Sequence, residues 1–201
     1  MIKGYYFITD SGLSRQGILS DVSLAVKSGV GVVQYREKNA STKKLFEEAS
    51  ALRKICRETL LIINDRIDIA LAVSAGGVHI GQDDMPVKEA RRLLGKDRVI
   101  GVTVHNENEA REAESHGADY LGVSPVFGTS TKKDAGEACG PAMIKKIKSF
   151  SSLPLVAIGG INFDNAREVA SAGADALCAI SAVLLSDDPA GAIRRFQKLF
   201  V

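Results

Sequence analysis

The chain has 201 residues, of which 45% are hydrophobic and 25% charged, and it contains no low-complexity stretch. This length suits one domain, expected to span residues 1–201, and the ordinary composition excludes a disordered protein. Because 26 basic and 24 acidic residues are interspersed, we expect no general basic surface for nucleic acid.

Neither a membrane protein nor a secreted protein is expected. The longest apolar runs are far shorter than the roughly 18 residues of a membrane span, and no signal-peptide core follows Met1. The three cysteines, Cys56, Cys139 and Cys178, lie outside any C-x-x-C pattern. Their spacing favours buried thiols over disulfides or zinc ligands, so we expect a cytoplasmic protein.

Short β-branched runs alternate with segments of helical period along the chain. The eight strand candidates are residues 5–9, 31–36, 60–64, 77–80, 99–103, 120–123, 155–158 and 176–180. Alternating strands and helices predict an α/β protein with a parallel sheet, and eight units of about 25 residues predict a single (β/α)8 TIM barrel. Function is then expected on the loops that follow the strands.

The second strand ends in the polar run at residues 34–38. Side chains alternate along a strand, so Gln34, Arg36 and Lys38 share one face. An amide and two cations at the mouth of the barrel indicate an anion site. A solvated charge cluster would show the same residue types.

An acidic residue follows each of the next two strands, Asp65 after the third and Asp84 after the fourth. Two carboxylates beside the cations of the second strand suit a Mg²⁺ ion that carries a diphosphate. Taken singly, Asp84 also fits a helix N-cap ahead of Pro86.

The fifth strand brings Thr103 and His105 to one face. The hydroxyl of Thr103 suits a phosphate oxygen. His105 suits either a general base or a packed, capping residue.

Two later segments predict a second anion site. Residues 124–136 combine a glycine, hydroxyls and two lysines in a polar loop, which is typical of a flap over an anion. Gly159 and Gly160 follow the seventh strand, where barrel loops often bind phosphate through backbone N–H groups.

Together these segments resemble the thiamine phosphate synthase family over nearly the whole chain. The matching pieces are residues 34–38, 64–66, 79–84, 117–120, 125–132 and 157–161. The resemblance implies two phosphorylated substrates, 4-amino-5-hydroxymethyl-2-methylpyrimidine diphosphate and 4-methyl-5-(2-hydroxyethyl)thiazole phosphate, joined with release of diphosphate. It also implies a dissociative mechanism, Mg²⁺ as cofactor, and the homodimer that members of the family tend to form.

The resemblance also implies roles for individual residues, with Arg36 and Lys132 catalytic and no residue acting as a nucleophile. The pyrimidine diphosphate would be bound by Gln34, Tyr35, Arg36, Glu37, Lys38, Asn64, Thr103 and Lys132. The thiazole phosphate would be bound by Thr129, Ser130, Thr131, Gly160, Ile180 and Ser181. The metal ion would be held by Asp65 and Asp84.

Three positions depart from the family pattern. Ser124 stands where Gly is usual, Thr103 where Ser is common, and Gly128 where Pro is usual. Thr103 keeps the hydroxyl, so binding is expected to persist, whereas Gly128 is expected to loosen the flap.

Three hypotheses compete with the synthase. One is the related thiazole tautomerase branch, because His105 resembles the reactive histidine of that branch. Another is a phosphoribosyl-handling barrel, against which the run at residues 34–38 argues. The third is a regulator that keeps the pocket without turnover.

Overall fold

Eight parallel strands form a closed barrel in the computed structural model, which describes residues 2–129, 131 and 136–201. Each strand pairs with the next, and the eighth pairs with the first. The strands are β1 (Gly4–Ile8), β2 (Val32–Tyr35), β3 (Leu60–Asn64), β4 (Gly77–Ile80), β5 (Val99–Val104), β6 (Tyr120–Val123), β7 (Leu155–Ile158) and β8 (Ala176–Cys178). The (β/α)8 barrel predicted from the sequence is confirmed.

Helices surround the barrel and connect its strands. They are α1 (Ile18–Lys27), α2 (Thr42–Ile55), α3 (Ile67–Ala72), α4 (Val87–Leu94), α5 (Glu107–Ser115), α6 (Gly140–Lys148), α7 (Ala166–Ser171), α8 (Ile180–Leu184) and α9 (Pro189–Gln197), followed by a 3₁₀ turn at Lys198–Phe200. Ser41 and Asn106 begin α2 and α5 by accepting backbone N–H groups, as expected of N-cap residues. None of the helices in the described ranges is both long and apolar enough to cross a membrane.

The strands are buried on both faces, which explains why they read as continuous apolar runs. Along β1, Tyr5 and Phe7 pack in the layer between strands and helices, whereas Tyr6 and Ile8 pack inside the barrel. This alternation follows from the period of two along a strand. The interior layer also contains Cys178, which lines the cavity described below together with Ile8.

The eighth strand is shorter than the sequence predicted. We expected it to span residues 176–180, but it ends at Cys178 and Ile180 begins α8. The last pairing of β8 with its neighbour joins Cys178 to Ile158, where β7 itself ends. Beyond Cys178 the chain leaves the sheet and enters α8, whose first residues, Ile180 and Ser181, line the cavity.

Candidate active site

A cavity of about 950 Å³, including its open mouth, lies at the carboxyl ends of the strands. The site residues expected from the sequence that line this cavity are Gln34, Arg36, Lys38, Asn64, Asp65, Asp84, Thr103, Thr129, Thr131, Gly160, Ile180 and Ser181. The structure thus brings both expected anion sites and both candidate metal ligands to one cavity.

Two of the expected residues, Tyr35 and Glu37, direct their side chains elsewhere. The Tyr35 hydroxyl donates a hydrogen bond of 2.6 Å to Oε2 of Glu48 on α2. The hydroxyl of Ser11 lowers the pKa of Glu37 through a hydrogen bond, and the same carboxylate accepts the Asn39 N–H at 2.8 Å. Side chains alternate in direction along an extended chain. Gln34, Arg36 and Lys38 face the cavity, so Tyr35 and Glu37 face away from it.

Part of the predicted flap lies outside the described residues, including Ser130 and Lys132. The described part shows Thr129 and Thr131 at the cavity, and the N–H of Thr131 donates to Oγ1 of Thr129 at 3.2 Å.

Gly160 lets the loop after β7 lie directly against the segment that leads to Thr129. Its φ is +62°, and a Cβ atom there would lie 2.4 Å from the carbonyl oxygen of Gly128. The backbone N–H groups of Val126 and Phe127 bond to the carbonyl oxygens of Ile158 and Gly159. This contact holds Gly160 beside the segment that leads to Thr129.

Asp65 and Asp84 form a pair of carboxylates at one side of the cavity. Burial raises the pKa of the Asp84 carboxyl, the hydrogen bond from the Gly81 N–H lowers it, and the neighbouring Asp65 carboxylate raises it. Asp84 accepts that N–H at 2.6 Å, and Pro86 occupies the N-cap position of α4. The alternative role of Asp84 as a helix N-cap is therefore wrong.

The two carboxylates fit a magnesium ion. In the described residues no group of three or more His, Cys, Asp or Glu side chains is arranged for a metal. Magnesium, however, is commonly held by one or two carboxylates and completes its octahedron with water and substrate phosphate oxygens. A divalent cation between Asp65 and Asp84 would also neutralise their mutual repulsion.

Asp65 adopts an uncommon backbone conformation. Its φ is +59°, in the left-handed region, which costs a non-glycine residue about 1–2 kcal/mol. Its N–H donates to the carbonyl oxygen of His79 at 2.8 Å, and Nζ of Lys38 lies 2.5 Å from its Oδ2 atom. These contacts hold the carboxylate beside Asp84.

Thr9 is a residue that the sequence analysis missed. Its side chain is 1% exposed, accepts the backbone N–H of Arg36 at 2.8 Å, and donates to the Arg36 carbonyl at 3.1 Å. Thr9 thereby fixes the end of β2 against β1 and orients the residue that carries the guanidinium. A hydroxyl just after a strand is too common for this role to be predicted.

A chain of hydrogen-bonded side chains forms the bottom of the cavity. Nε2 of Gln34 donates to the Tyr6 hydroxyl at 3.0 Å, and the hydroxyls of Tyr6 and Tyr120 are 2.7 Å apart. The Tyr120 hydroxyl lies 2.8 Å from Nδ1 of His79, whose Nε2 is 2.8 Å from Oγ1 of Thr103. We call these five residues the floor chain. This chain was not predictable from sequence patterns, because it joins residues of five different strands.

The cavity offers no thiolate nucleophile among the residues described. Cys178 lines it, but complete burial raises the pKa of this thiol well above neutral pH. Cys56 is also buried, and burial raises the pKa of its thiol to about 11. Both thiols are therefore protonated at pH 7, as expected for packing residues.

His105 is held away from the cavity by a capping interaction. Its Nδ1 atom and its backbone N–H both lie 2.8 Å from Oε2 of Glu109. Glu109 belongs to α5, and Asn106 is the N-cap residue of that helix. Neither His105 nor Asn106 lines the cavity. This geometry favours the capping role of His105 over that of a general base.

Comparisons with known proteins agree with this geometry. The family model described as thiamine monophosphate synthase matches residues 5–183. A thiamine-phosphate synthase of Methanosarcina barkeri is 55% identical over 198 residues, covering 98% of this chain and 88% of the relative. One from Chloroflexus aurantiacus is 50% identical over 197 residues, covering 96% of this chain and 91% of the relative.

A solved structure is similar over almost the same extent. It is a thiamine phosphate pyrophosphorylase from Pyrococcus furiosus, with a TM-score of 0.90 and 40% sequence identity, covering 98% of this chain and 95% of that one. With the match to the family model and these relatives over nearly their whole lengths, the chain belongs to the thiamine monophosphate synthase family.

Proposed function

We propose that this chain is a magnesium-dependent thiamine phosphate synthase, which joins a pyrimidine diphosphate to a thiazole phosphate. The observation that carries the proposal is the convergence of two groups of anion-binding residues and a carboxylate pair on one cavity. A site for one phosphorylated substrate would not require all three.

The pyrimidine diphosphate is proposed to lie between β2, β3 and β5. Arg36 and Lys38 supply positive charge to the diphosphate, and Asn64 and Thr103 supply neutral hydrogen-bonding groups; all four line the cavity. Lys132 is proposed to add a further cation from the loop after β6. Charge-assisted hydrogen bonds of this kind are about twice as strong as neutral ones.

The thiazole phosphate is proposed to bind on the opposite side of the cavity. Gly160, Ile180 and Ser181 line that side, next to Thr129 and Thr131, and Ser130 belongs to the same loop. Backbone N–H groups and hydroxyls without a net positive charge suit a phosphate that must be bound but not activated.

Asp65 and Asp84 are proposed to hold Mg²⁺ against the diphosphate. The bound ion would neutralise charge on the leaving group. Both carboxylates are held in place by the protein. Nζ of Lys38 contacts Oδ2 of Asp65 at 2.5 Å, and the Gly81 N–H donates to the Asp84 carboxylate at 2.6 Å.

The chemistry needs positioning and charge neutralisation more than a base. The bond between the pyrimidine methylene carbon and the diphosphate oxygen breaks, and the diphosphate leaves with the electron pair. The lone pair of the thiazole nitrogen then forms the new carbon–nitrogen bond, so no proton has to be removed. Arg36 and Lys132 are proposed to stabilise the departing diphosphate, and the cavity aligns the nitrogen with the methylene carbon.

The test incubates the purified protein with both substrates and Mg²⁺ and measures thiamine phosphate and diphosphate. We expect both products in equal amounts, and none after chelation of the metal. Binding of both substrates without product would favour the regulator, and isomerisation of the thiazole alone would favour the tautomerase.

Two further features are proposed from other observations. The free thiols of Cys56, Cys139 and Cys178 suit a reducing cytoplasm. A homodimer is proposed from the resemblance to the family, and light scattering on the purified protein tests it.

A further inference from the structure

The floor chain has a property that the binding assignments do not contain, namely a direction for its protons. Each phenol and each hydroxyl has one proton to donate, and a neutral imidazole has one donor and one acceptor nitrogen. Burial raises the pKa of Tyr6 and Tyr120 well above 10, so both phenols keep their protons at neutral pH. When every buried proton of such a chain has an acceptor within it, a donor at one end fixes the direction of every later bond.

The donor at the first end is the amide of Gln34. Nε2 of Gln34 donates to the Tyr6 hydroxyl. In the arrangement that gives every proton of the chain an acceptor, the Tyr6 proton is directed to the hydroxyl of Tyr120, 2.7 Å away. The Tyr120 proton is then directed to Nδ1 of His79 at 2.8 Å. His79 must accept at Nδ1 and carry its own proton on Nε2.

The other end of the chain is Thr103. Nε2 of His79 and Oγ1 of Thr103 are 2.8 Å apart, and with this tautomer the Nε2 proton is donated to Thr103. The hydroxyl of Thr103 thus accepts from the protein and has its own proton left for a ligand. Thr103 lines the cavity, whereas Tyr6 and Tyr120 lie beneath it with 1% and 0% exposure.

We infer that the floor chain fixes the hydrogen-bonding polarity of the pyrimidine site, with Tyr6, Tyr120 and His79 as positioning residues. At the Thr103 end it presents a donor, which a diphosphate oxygen requires. At the Gln34 end the amide nitrogen is engaged below, which leaves the carbonyl oxygen as an acceptor for the amino group of an aminopyrimidine. This inference deepens the proposed function and rests on it for the identity of the ligand.

The reversed chain would be unsuitable for the same ligand. If the protons pointed the other way, Thr103 would donate its proton to His79. Its hydroxyl oxygen would then present only lone pairs to the ligand, and these repel a phosphate oxygen. Gln34 would then accept from Tyr6 and offer only N–H groups to the amino group. One change of direction would thus weaken both ends.

The barrel wall is shaped around this chain. A Cβ atom at Gly101 on β5 would lie 1.9 Å from Cζ of Tyr120, and one at Gly122 on β6 would lie 2.9 Å from Cε1 of His79. Glycine at both positions lets the two rings enter the interior. The glycines of β5 and β6 therefore provide the space that Tyr120 and His79 occupy in the floor chain.

The direct test is the tautomer of His79 in the ligand-free protein, measured from the ¹⁵N shifts of labelled histidine. The chain contains three histidines, so the variants His105→Asn and His116→Asn assign the signals. We expect a protonated Nε2 and an unprotonated Nδ1. A protonated Nδ1, alone or in an imidazolium, would overturn the inference.

Tyr120→Phe removes the donor to Nδ1 and should abolish the tautomer preference of His79. The matched control is Tyr5→Phe, which removes a buried phenol bonded to the Ala179 carbonyl, outside the floor chain. This control should leave the His79 shifts unchanged. Identical shifts in Tyr120→Phe and the wild type would overturn the inference.

Kinetics separate positioning from general destabilisation. Tyr6→Phe and Tyr120→Phe should raise KM for the pyrimidine diphosphate about tenfold and leave KM for the thiazole phosphate unchanged. Thr103→Val, which removes the hydroxyl at the end of the chain, should raise the same KM. Equal increases in both KM values would contradict a positioning role.

The two proposals fail separately. If the wild-type protein shows the Nε2–H tautomer but forms no thiamine phosphate, the floor chain stands and the proposed function falls. If the enzyme is active and His79 carries its proton on Nδ1, the proposed function stands and the direction of the chain is wrong.

Discussion

At the scale of single residues, side-chain parity was the most informative property of the sequence. It predicted that Gln34, Arg36 and Lys38 share a face, and all three line the cavity. Parity cannot predict which backbone conformation an isolated residue adopts after a strand. Asp65 has a positive φ and bonds to His79 on β4 and to Lys38 after β2, both of which are distant in sequence.

Asp84→Asn tests the metal assignment, and Asp83→Asn is its matched control because Asp83 is exposed and does not line the cavity. Asp84→Asn should weaken the dependence on Mg²⁺ and lower activity by about 100-fold or more, since loss of even an outer-shell partner costs 10–100-fold. Initial rates over a range of Mg²⁺ concentrations measure this effect.

The same variant should not lose stability in the absence of metal. The amide oxygen that replaces the carboxylate can still accept the Gly81 N–H, and the repulsion from Asp65 disappears. Thermal unfolding without Mg²⁺ checks this point. An unfolding temperature of Asp84→Asn well below that of the wild type would contradict the metal assignment. Equal losses of activity in Asp84→Asn and Asp83→Asn would contradict it too.

At the scale of elements, the strands were predictable but their ends were not. Burial on both faces makes each strand an apolar run, and all eight were recognised. The end of β8 was missed by two residues, because strand length depends on where β7 stops pairing. The floor chain was missed for a similar reason, since Tyr6 and Tyr120 are 114 positions apart.

Gly160→Ala tests the contact between the loop after β7 and the flap segment. The new Cβ would meet the Gly128 carbonyl at 2.4 Å, so the segment carrying Thr129 must move. We expect KM for the thiazole phosphate to rise about tenfold or more, and stability to fall by about 1–3 kcal/mol.

The control for this variant is Gly29→Ala. Gly29 has a similar φ of +83°, but a Cβ there meets nothing within 4 Å. It therefore incurs the backbone penalty of alanine without the clash, and KM should not change. A KM equal to that of the wild type in Gly160→Ala would place the loop contact outside substrate binding.

Gly101→Ala tests the space that β5 leaves for the floor chain. Its Cβ would lie 1.9 Å from the Tyr120 ring, so overpacking should destabilise the barrel by about 1–3 kcal/mol. Gly31→Ala is the control, because nothing lies within 4 Å of that position. Denaturant unfolding measures both, and equal midpoints would contradict the packing described here.

At the scale of the whole molecule, the apolar residues that stabilise the barrel and the polar residues of the candidate site lie in different regions. Apolar layers fill the interior and the space beneath the helices, while the polar groups collect at the carboxyl ends of the strands. Closure of the barrel brings residues that follow β2 and β8, far apart in sequence, to one cavity. A chain of 201 residues thus offers both proposed substrates a common cavity.

The most direct measurement of this arrangement is a crystal structure of the protein with thiamine phosphate, diphosphate and Mg²⁺. We predict diphosphate beside Arg36 and Lys38, the ion on Asp65 and Asp84, and the phosphate of thiamine phosphate near Gly160. Either product bound outside the cavity, or an ion held away from both aspartates, would contradict the account.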